Sequence, residues 1–180
     1  MTGVFRTVTA TPAEIAAPRA GDGIVDPADV VMDRAFSLDA SPDVVWPWLA
    51  QLGKGRAGWY LPRSVERLLP PSRRAIRTVD PTWLTLRVGE VIPDYGGRDE
   101  TFEVAELDPP HVLVYRSRRG RTALTWSITL VAAGARTRVC LRLRLGPVRR
   151  KWLARSAGEL LDLLTVAGMA AGLRERLAGT

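Results

Sequence analysis

From Ala123 to Leu145 apolar and polar residues alternate with little interruption. Leu124, Trp126, Ile128 and Leu130 fall on one side against Thr125, Ser127 and Thr129. Val139, Leu141, Leu143 and Leu145 likewise oppose Arg138, Cys140, Arg142 and Arg144. A period of two is the mark of antiparallel strands with one buried face, and "AAGA" between the runs reads as a hairpin turn. The pattern puts Leu141 and Leu143 in the core. It turns Arg142 and Arg144 outward onto a wet sheet face, their aliphatic stems covering apolar surface. Upstream, "ETFEVAEL" and "HVLVYRSR" are two more strands, parted by the turn signal "DPP". "AIRTVD" and "WLTLRVGEVI" have the composition of short strands, and "DVVMDRAFSL" is a first strand.

Helical spacing appears in two places. In "DASPDVVWPWLAQLG", Ser41 is a good N-cap, Pro42 suits the first helical position and Gly53 stops the run. Val45, Trp48, Leu49 and Leu52 share one face of that helix. "WYLPRSVERLLP" predicts a second short helix, with "PPSRR" as a loop after it. The last segment predicts a long helix from near Pro147, with Trp152, Leu153, Leu160, Leu164, Ala167 and Ala171 recurring near helical spacing. Gly158, Gly168 and Gly172 interrupt it. They fit either close helix-to-sheet packing or room for something lying against the helix.

"GKGRAG", Gly53 to Gly58, matches G-x-G-x-x-G literally. A dinucleotide fingerprint has meaning only where it leaves a strand and opens a helix. Here the glycines follow a helix, and no β-α-β series comes after. They read as a helix stop and a flexible turn.

Composition narrows the class. With 180 residues, 46% hydrophobic and 25% charged, the chain is the size of one domain with a real core. Residues 1–28, rich in Ala, Thr, Gly and Pro, look like a loosely held, flexible lead-in to a folded domain at 29–180. The formal charge is +7, which favours anionic partners. However, Lys54 and Lys151 are the only lysines, and no zinc finger, helix-turn-helix or RNA-binding aromatic motif marks a nucleic-acid binder. The lone Cys140 excludes an internal disulfide framework. An N-terminus without a signal-peptide core points to the cytoplasm. The apolar run Leu160–Leu173 contains Asp162 and is too short to span a bilayer.

Catalytic chemistry is sparse. His111 is the only histidine and follows "DPP", which suits a structural or solvent-facing role. One His and one Cys make no zinc cluster, and the aspartates lack calcium-loop spacing. No metal or cofactor is expected. Glu100, Glu103 and Glu106 share a strand without forming a carboxylate pair. Asp94 and Tyr95, before two glycines, describe a plain turn as well as a site.

Taken together, "FSLDASPDVVWPWLAQLG", "GWY", "VGEVIPD", "FEVAELDPPHVLVYRS" and "WSITLVAAGARTRVCLRLRL" resemble the START/Bet v 1-like (SRPBCC) superfamily over about residues 30–178. The likeness is nearest to the bacterial polyketide cyclase/dehydrase-like group. The resemblance implies an α+β helix-grip fold: a curved antiparallel sheet wrapped around a long C-terminal helix, with two short helices after the first strand. It also implies a cavity between sheet and helix that takes a small hydrophobic or aromatic molecule. Carried over by segment, the ligand-facing residues are Trp48, Trp59, Tyr60, Tyr95, Trp126, Leu164 and Gly168. Two other functions stay open. One is a polyketide aromatase or cyclase, which needs a positioned acid or base. The other is a protein that meets an anionic membrane or protein partner through its arginine-rich face.

Overall fold

A computed structural model describes residues 8–148, 152 and 154–179. Residues 1–7 of the expected lead-in, residues 149–151 of the expected last helix and Leu153 of its apolar face lie outside the described residues. Six strands form one antiparallel sheet: β1 (Val30–Leu38), β2 (Val91–Pro93), β3 (Thr101–Asp108), β4 (Val112–Arg119), β5 (Thr122–Ala133) and β6 (Arg136–Gly146). Their order is β1-β6-β5-β4-β3-β2, so consecutive hairpins run across the sheet and the last strand returns beside the first. The sheet curves around a C-terminal helix, which gives the helix-grip fold.

The helices are α1 (Pro12–Ala16), α2 (Pro42–Ala50), α3 (Arg63–Glu66) and α4 (Glu159–Leu177), the last preceded by a π-type turn at Ala154–Gly158. On α2, Val45, Trp48 and Leu49 are buried, as the helical spacing predicts. The helix Ser156–Leu177 has 22 residues and contains an 18-residue stretch of mean hydropathy 1.3, long and apolar enough by composition to cross a membrane. That corrects the shorter span read from the sequence. Its C-terminal half is nonetheless a core element: Val166, Met169, Ala170 and Leu173 are buried against the sheet side. Leu160, Leu161 and Leu164, in its first turns, are exposed.

Two strand expectations fail between α3 and β3. Residues 75–80 form no strand, and "WLTLRVGEVI" contributes only Val91–Pro93 after a 3-10 turn at Pro81–Trp83. This stretch is instead held by side chains. Gln51 accepts from the Asp80 N–H and donates to the Thr78 carbonyl, and Arg56 donates to the Trp83 carbonyl. Buried polar partners of that kind replace a strand ladder as the way backbone groups are satisfied.

The outer sheet face differs most from expectation. From Val8 onward the N-terminal segment is a packed strap across β1 and β6. It begins with α1, where Thr11 and Glu14 form a reciprocal capping box. Arg142 does point away from the core, but it is only 5% exposed. Its guanidinium bonds Asp33 at 2.8 Å, Asp22 at 2.9 Å and the Ile15 carbonyl at 2.6 Å. Arg138 holds Glu14 through two contacts of 2.7 and 2.9 Å, and Arg144 bonds the Val25 carbonyl and Asp26. The face is therefore dry where a wet one was expected, because each guanidinium meets a carboxylate from the strap or from β1. The Arg138 hydrogen bond, against the opposing effect of burial, lowers the Glu14 carboxyl from its ordinary 4.5 to about 2.

Candidate functional site

Strand register builds one aromatic wall. Met32, Leu143, Trp126, Tyr115 and Val104 lie opposite one another in a single row across β1, β6, β5, β4 and β3. Because side chains alternate strictly, the whole row faces the helix side of the sheet. Tyr115 stacks on Trp126, with ring centroids 5.9 Å apart and planes 18° apart. Phe102 joins both, 5.7 Å from Tyr115 and 6.4 Å from Trp126. Trp59 completes the group 5.8 Å from Trp126, and its indole N–H points to the Thr165 carbonyl of α4 at 3.4 Å. The cluster thus bridges sheet and C-terminal helix. Trp59, Phe102 and Trp126 remain partly accessible.

One polar group in this wall lacks a partner. The Tyr115 hydroxyl is buried with no hydrogen bond among the described residues; burial pushes its phenol well above the ordinary range, with the Arg56 and Glu90 charges acting on it in opposite directions. An unpartnered buried hydroxyl costs stability. It is therefore a feature that calls for a reason.

The glycine turn is a mechanical knot behind the wall. Gly53 and Gly58 pair as an isolated bridge, and the turn's two cations reach in different directions. Lys54 donates to the carbonyls of Asp94 and Gly97. Arg56 pairs with Glu90 at 2.6 Å and lies over the Trp83 ring. Gly58 has a φ of +88°, and a Cβ there would come within 2.9 Å of the Ala75 backbone. The glycines serve close chain approach, and the cations around them are already engaged.

The seven residues expected to face a ligand fall into four settings. Trp59 and Trp126 are in the aromatic wall. Tyr95 is half exposed on the loop after β2; burial raises its phenol, while Arg73 and the Trp59 backbone near its hydroxyl oppose the rise. Trp48 and Tyr60 are fully buried in the core, meeting edge-on at 5.8 Å. The Tyr60 hydroxyl donates to the Trp48 carbonyl at 2.8 Å and accepts from Gln51 at 2.9 Å, so its polar handle is taken up by protein. Leu164 lies exposed on α4. Gly168 lets Leu61 approach, since a Cβ there would meet the Leu61 side chain at 2.8 Å.

Phe102 and Tyr115 are the residues that sequence reasoning did not single out. Their signal was present as alternation: Phe102 and Val104 on β3, and Leu113 and Tyr115 on β4, share the parity of the core. What the sequence does not show is the register that sets Tyr115 opposite Trp126.

Acid–base groups near the interior are few. Arg34 projects from the helix-facing side of β1 to Asp162 of α4 at 2.9 Å and to Glu159 at 3.7 Å. Burial raises the Asp162 carboxyl against the opposing pull of Arg34. Asp94 is ion-paired with Arg119 and caps the Tyr95 N–H. His111 is exposed. Cys140 is buried on the outer face beside Ala10 and Ala35, and burial raises its thiol. No group of three metal-ligating side chains occurs among the described residues.

No protein-family model matches the chain, and no curated protein does. Solved structures do. A protein from Rhodobacter sphaeroides superposes with a TM-score of 0.55 at 15% identity, over 86% of this chain and 96% of that one. A protein from Mesorhizobium loti gives 0.51 at 16% identity, over 84% and 98%. A protein from Arthrobacter aurescens gives 0.51 at 13% identity, over 84% and 88%. At such identities the likeness is one of fold, the helix-grip architecture. Fold alone does not assign an activity.

Proposed function

We propose that this protein binds a small, largely apolar or aromatic molecule between the sheet and α4, against Trp59, Phe102 and Trp126. The observation that carries the reading is the unpartnered Tyr115 hydroxyl at the centre of that wall. Stacked aromatic faces supply broad apolar contact, and one polar atom of a ligand would satisfy the phenol. This is the usual composition of a small-molecule site, mostly apolar with a few placed polar groups. Tyr95, its hydroxyl near the Trp59 backbone, is suited to the rim. The ligand reading does not need Trp48 or Tyr60, whose contacts are already filled.

The test is a fluorescence titration of the folded chain with naphthalene and with 2-naphthol. Saturable binding of both is expected. Trp126→Leu should weaken both about tenfold or more, the loss of one stacked contact and its buried area. Tyr115→Phe should weaken 2-naphthol selectively and leave the fold intact, since the hydroxyl it removes has no protein partner. Circular dichroism and a thermal melt confirm that each variant is folded. No saturable binding by the wild type, or binding unchanged in Trp126→Leu, overturns the proposal.

A second reading, a polyketide aromatase or cyclase, draws on Asp162. Its carboxyl, raised by burial and held by Arg34, is the kind of group that general acid catalysis requires. Cyclised product that disappears in Asp162→Asn, with ligand binding retained, would favour the enzyme; binding without turnover favours a carrier or sensor.

A further inference from the structure

A second concavity lies on the other side of the sheet, where the strap ends against the β4–β5 hairpin. It is a cleft of about 400 Å³. Its floor is Ala123 and Gly146, neighbours across β5 and β6, with the strap backbone at Pro27 packed close to Gly146. One wall is the strap from Ile24 to Asp29, which supplies Ile24, Val25 and Pro27; Arg118 and Arg121 of the hairpin form the other. We propose that this cleft binds a small amphipathic anion, with its charged group between the two guanidinium groups and its apolar part against Ile24 and Pro27.

The charges in the cleft are not equivalent. Asp26 is engaged by Arg144 at 3.3 Å, and Asp29 accepts the Val148 N–H at 2.7 Å. Its carboxylates are therefore occupied by the protein's own donors. Arg118 and Arg121 are exposed, and among the described residues their side chains form neither an ion pair nor a hydrogen bond. They differ in this from Arg116, paired with Glu103 nearby, and from Arg119 between them, paired with Asp94 and Glu100. The surplus is of donors, in the fork geometry that suits phosphate and carboxylate. The volume lies within the range of small-ligand sites. The apolar residues opposite distinguish the cleft from a plain charged surface. Because it opens on the outer face, it is separate from the aromatic interior, and a failure at one site leaves the other untouched.

The experiment is a ¹H–¹⁵N NMR titration of the full chain with phenyl phosphate, phenylacetate, inorganic phosphate and benzyl alcohol. Phenyl phosphate or phenylacetate, or both, should shift the Ala123 and Gly146 amides saturably; the tighter of the two identifies the anionic group. Inorganic phosphate should bind more weakly for want of the apolar wall, and benzyl alcohol should not saturate these amides. Arg118→Gln with Arg121→Gln should weaken binding about tenfold or more, the loss of charge-assisted bonds. The melting temperature should hold, since neither side chain has a protein partner. Trp126→Leu should leave the shifts unchanged. Equal binding by the double variant, saturation by benzyl alcohol, or no saturable shift with either organic anion overturns the proposal.

Discussion

Arg142 and Arg176 are both guanidinium groups withdrawn from water, and both are matched by carboxylate and carbonyl oxygens. Arg176 pairs with Glu66 at 2.7 Å, lies 4.5 Å from the Tyr60 ring centroid and donates to the carbonyls of Leu61, Gly172 and Ile76. It joins the end of α4 to the chain around α3. Arg142 does the same for the strap. A buried pair is weak evidence of stability, but breaking one leaves an uncompensated charge. Arg142→Met should therefore destabilise the fold by about 3–5 kcal/mol in urea unfolding, because Asp33 keeps its burial and loses its partner. Adding Asp33→Val should recover part of that loss. Glu14 gives the matching pH effect. Its folded carboxyl is depressed to about 2 from an ordinary 4.5, so its contribution is complete above pH 4.5 and is lost as pH falls toward 2. Hydrogen exchange should show the Ala17 and Ala35 amides, bonded to Ala13 and Val8, losing protection across that window. In Glu14→Gln, protection should already be low at pH 7 and nearly flat with pH.

Elements meet here by close backbone approach as much as by side-chain packing, and two glycines of α4 separate these effects. A Cβ on Gly172 would stand 2.7 Å from the Leu61 nitrogen and 2.8 Å from the Tyr60 carbonyl carbon. Backbone cannot step aside, so Gly172→Ala should destabilise by about 1–3 kcal/mol despite the better helix former. At Gly168 the obstacle is the end of the Leu61 side chain. There the gain of about 1 kcal/mol in helix propensity offsets a small repacking cost, and chemical denaturation should find Gly168→Ala near neutral. Their sequence fits both close packing and a lodged ligand; what lies against these glycines is the Tyr60–Leu61 segment. The strands were easier to read. β5 and β6 have one face in the core along their length, and a single buried face writes itself as strict alternation. Residues 75–90 have similar composition but no strand; Gln51 and Arg56, distant in sequence, bond the backbone at Thr78, Asp80 and Trp83, and Ile76 and Gly89 bond the backbone of Ala57 and Val104. α1 escaped notice because five residues are too short for periodicity. Its local signals were the capping box, Thr11 to Glu14, and Pro12 at the first helical position. The aromatic wall was half legible: Trp59 and Trp126 stand out by residue type, whereas Tyr115 gains its meaning only from register.

At the scale of the molecule the sheet has two faces with different partners, and the arginines of β6 meet carboxylates on the outer one. On the outer face Arg138, Arg142 and Arg144 are neutralised by Glu14, Asp22, Asp26 and Asp33, so the strap is an electrostatic lid over a small apolar patch of Ala10, Ala35 and Cys140. The only cysteine lies beneath that lid and so reports on it. A buried thiol with a raised pKa is a poor nucleophile, and a disulfide reagent can reach it only when the strap lifts. In the full chain, labelling of Cys140 should be slow at neutral pH and set by that opening. Glu14→Gln also changes the acceptor 3.7 Å from the Cys140 sulfur, so the labelling rate is divided by the thiolate fraction measured from its pH dependence. The corrected rate should still rise several-fold, while the tryptophan emission of the aromatic wall stays unchanged, because Trp59 and Trp126 lie across the sheet. The comparison separates a local release from general unfolding, in which thiol exposure and tryptophan emission change together. If both signals move in step in Glu14→Gln, the strap is no separate lid but part of one cooperative fold. If labelling is already fast in the wild type, the burial of Cys140 is not maintained in solution. The expected result, a faster thiol under an undisturbed aromatic wall, would establish that the strap opens independently of the ligand-facing interior.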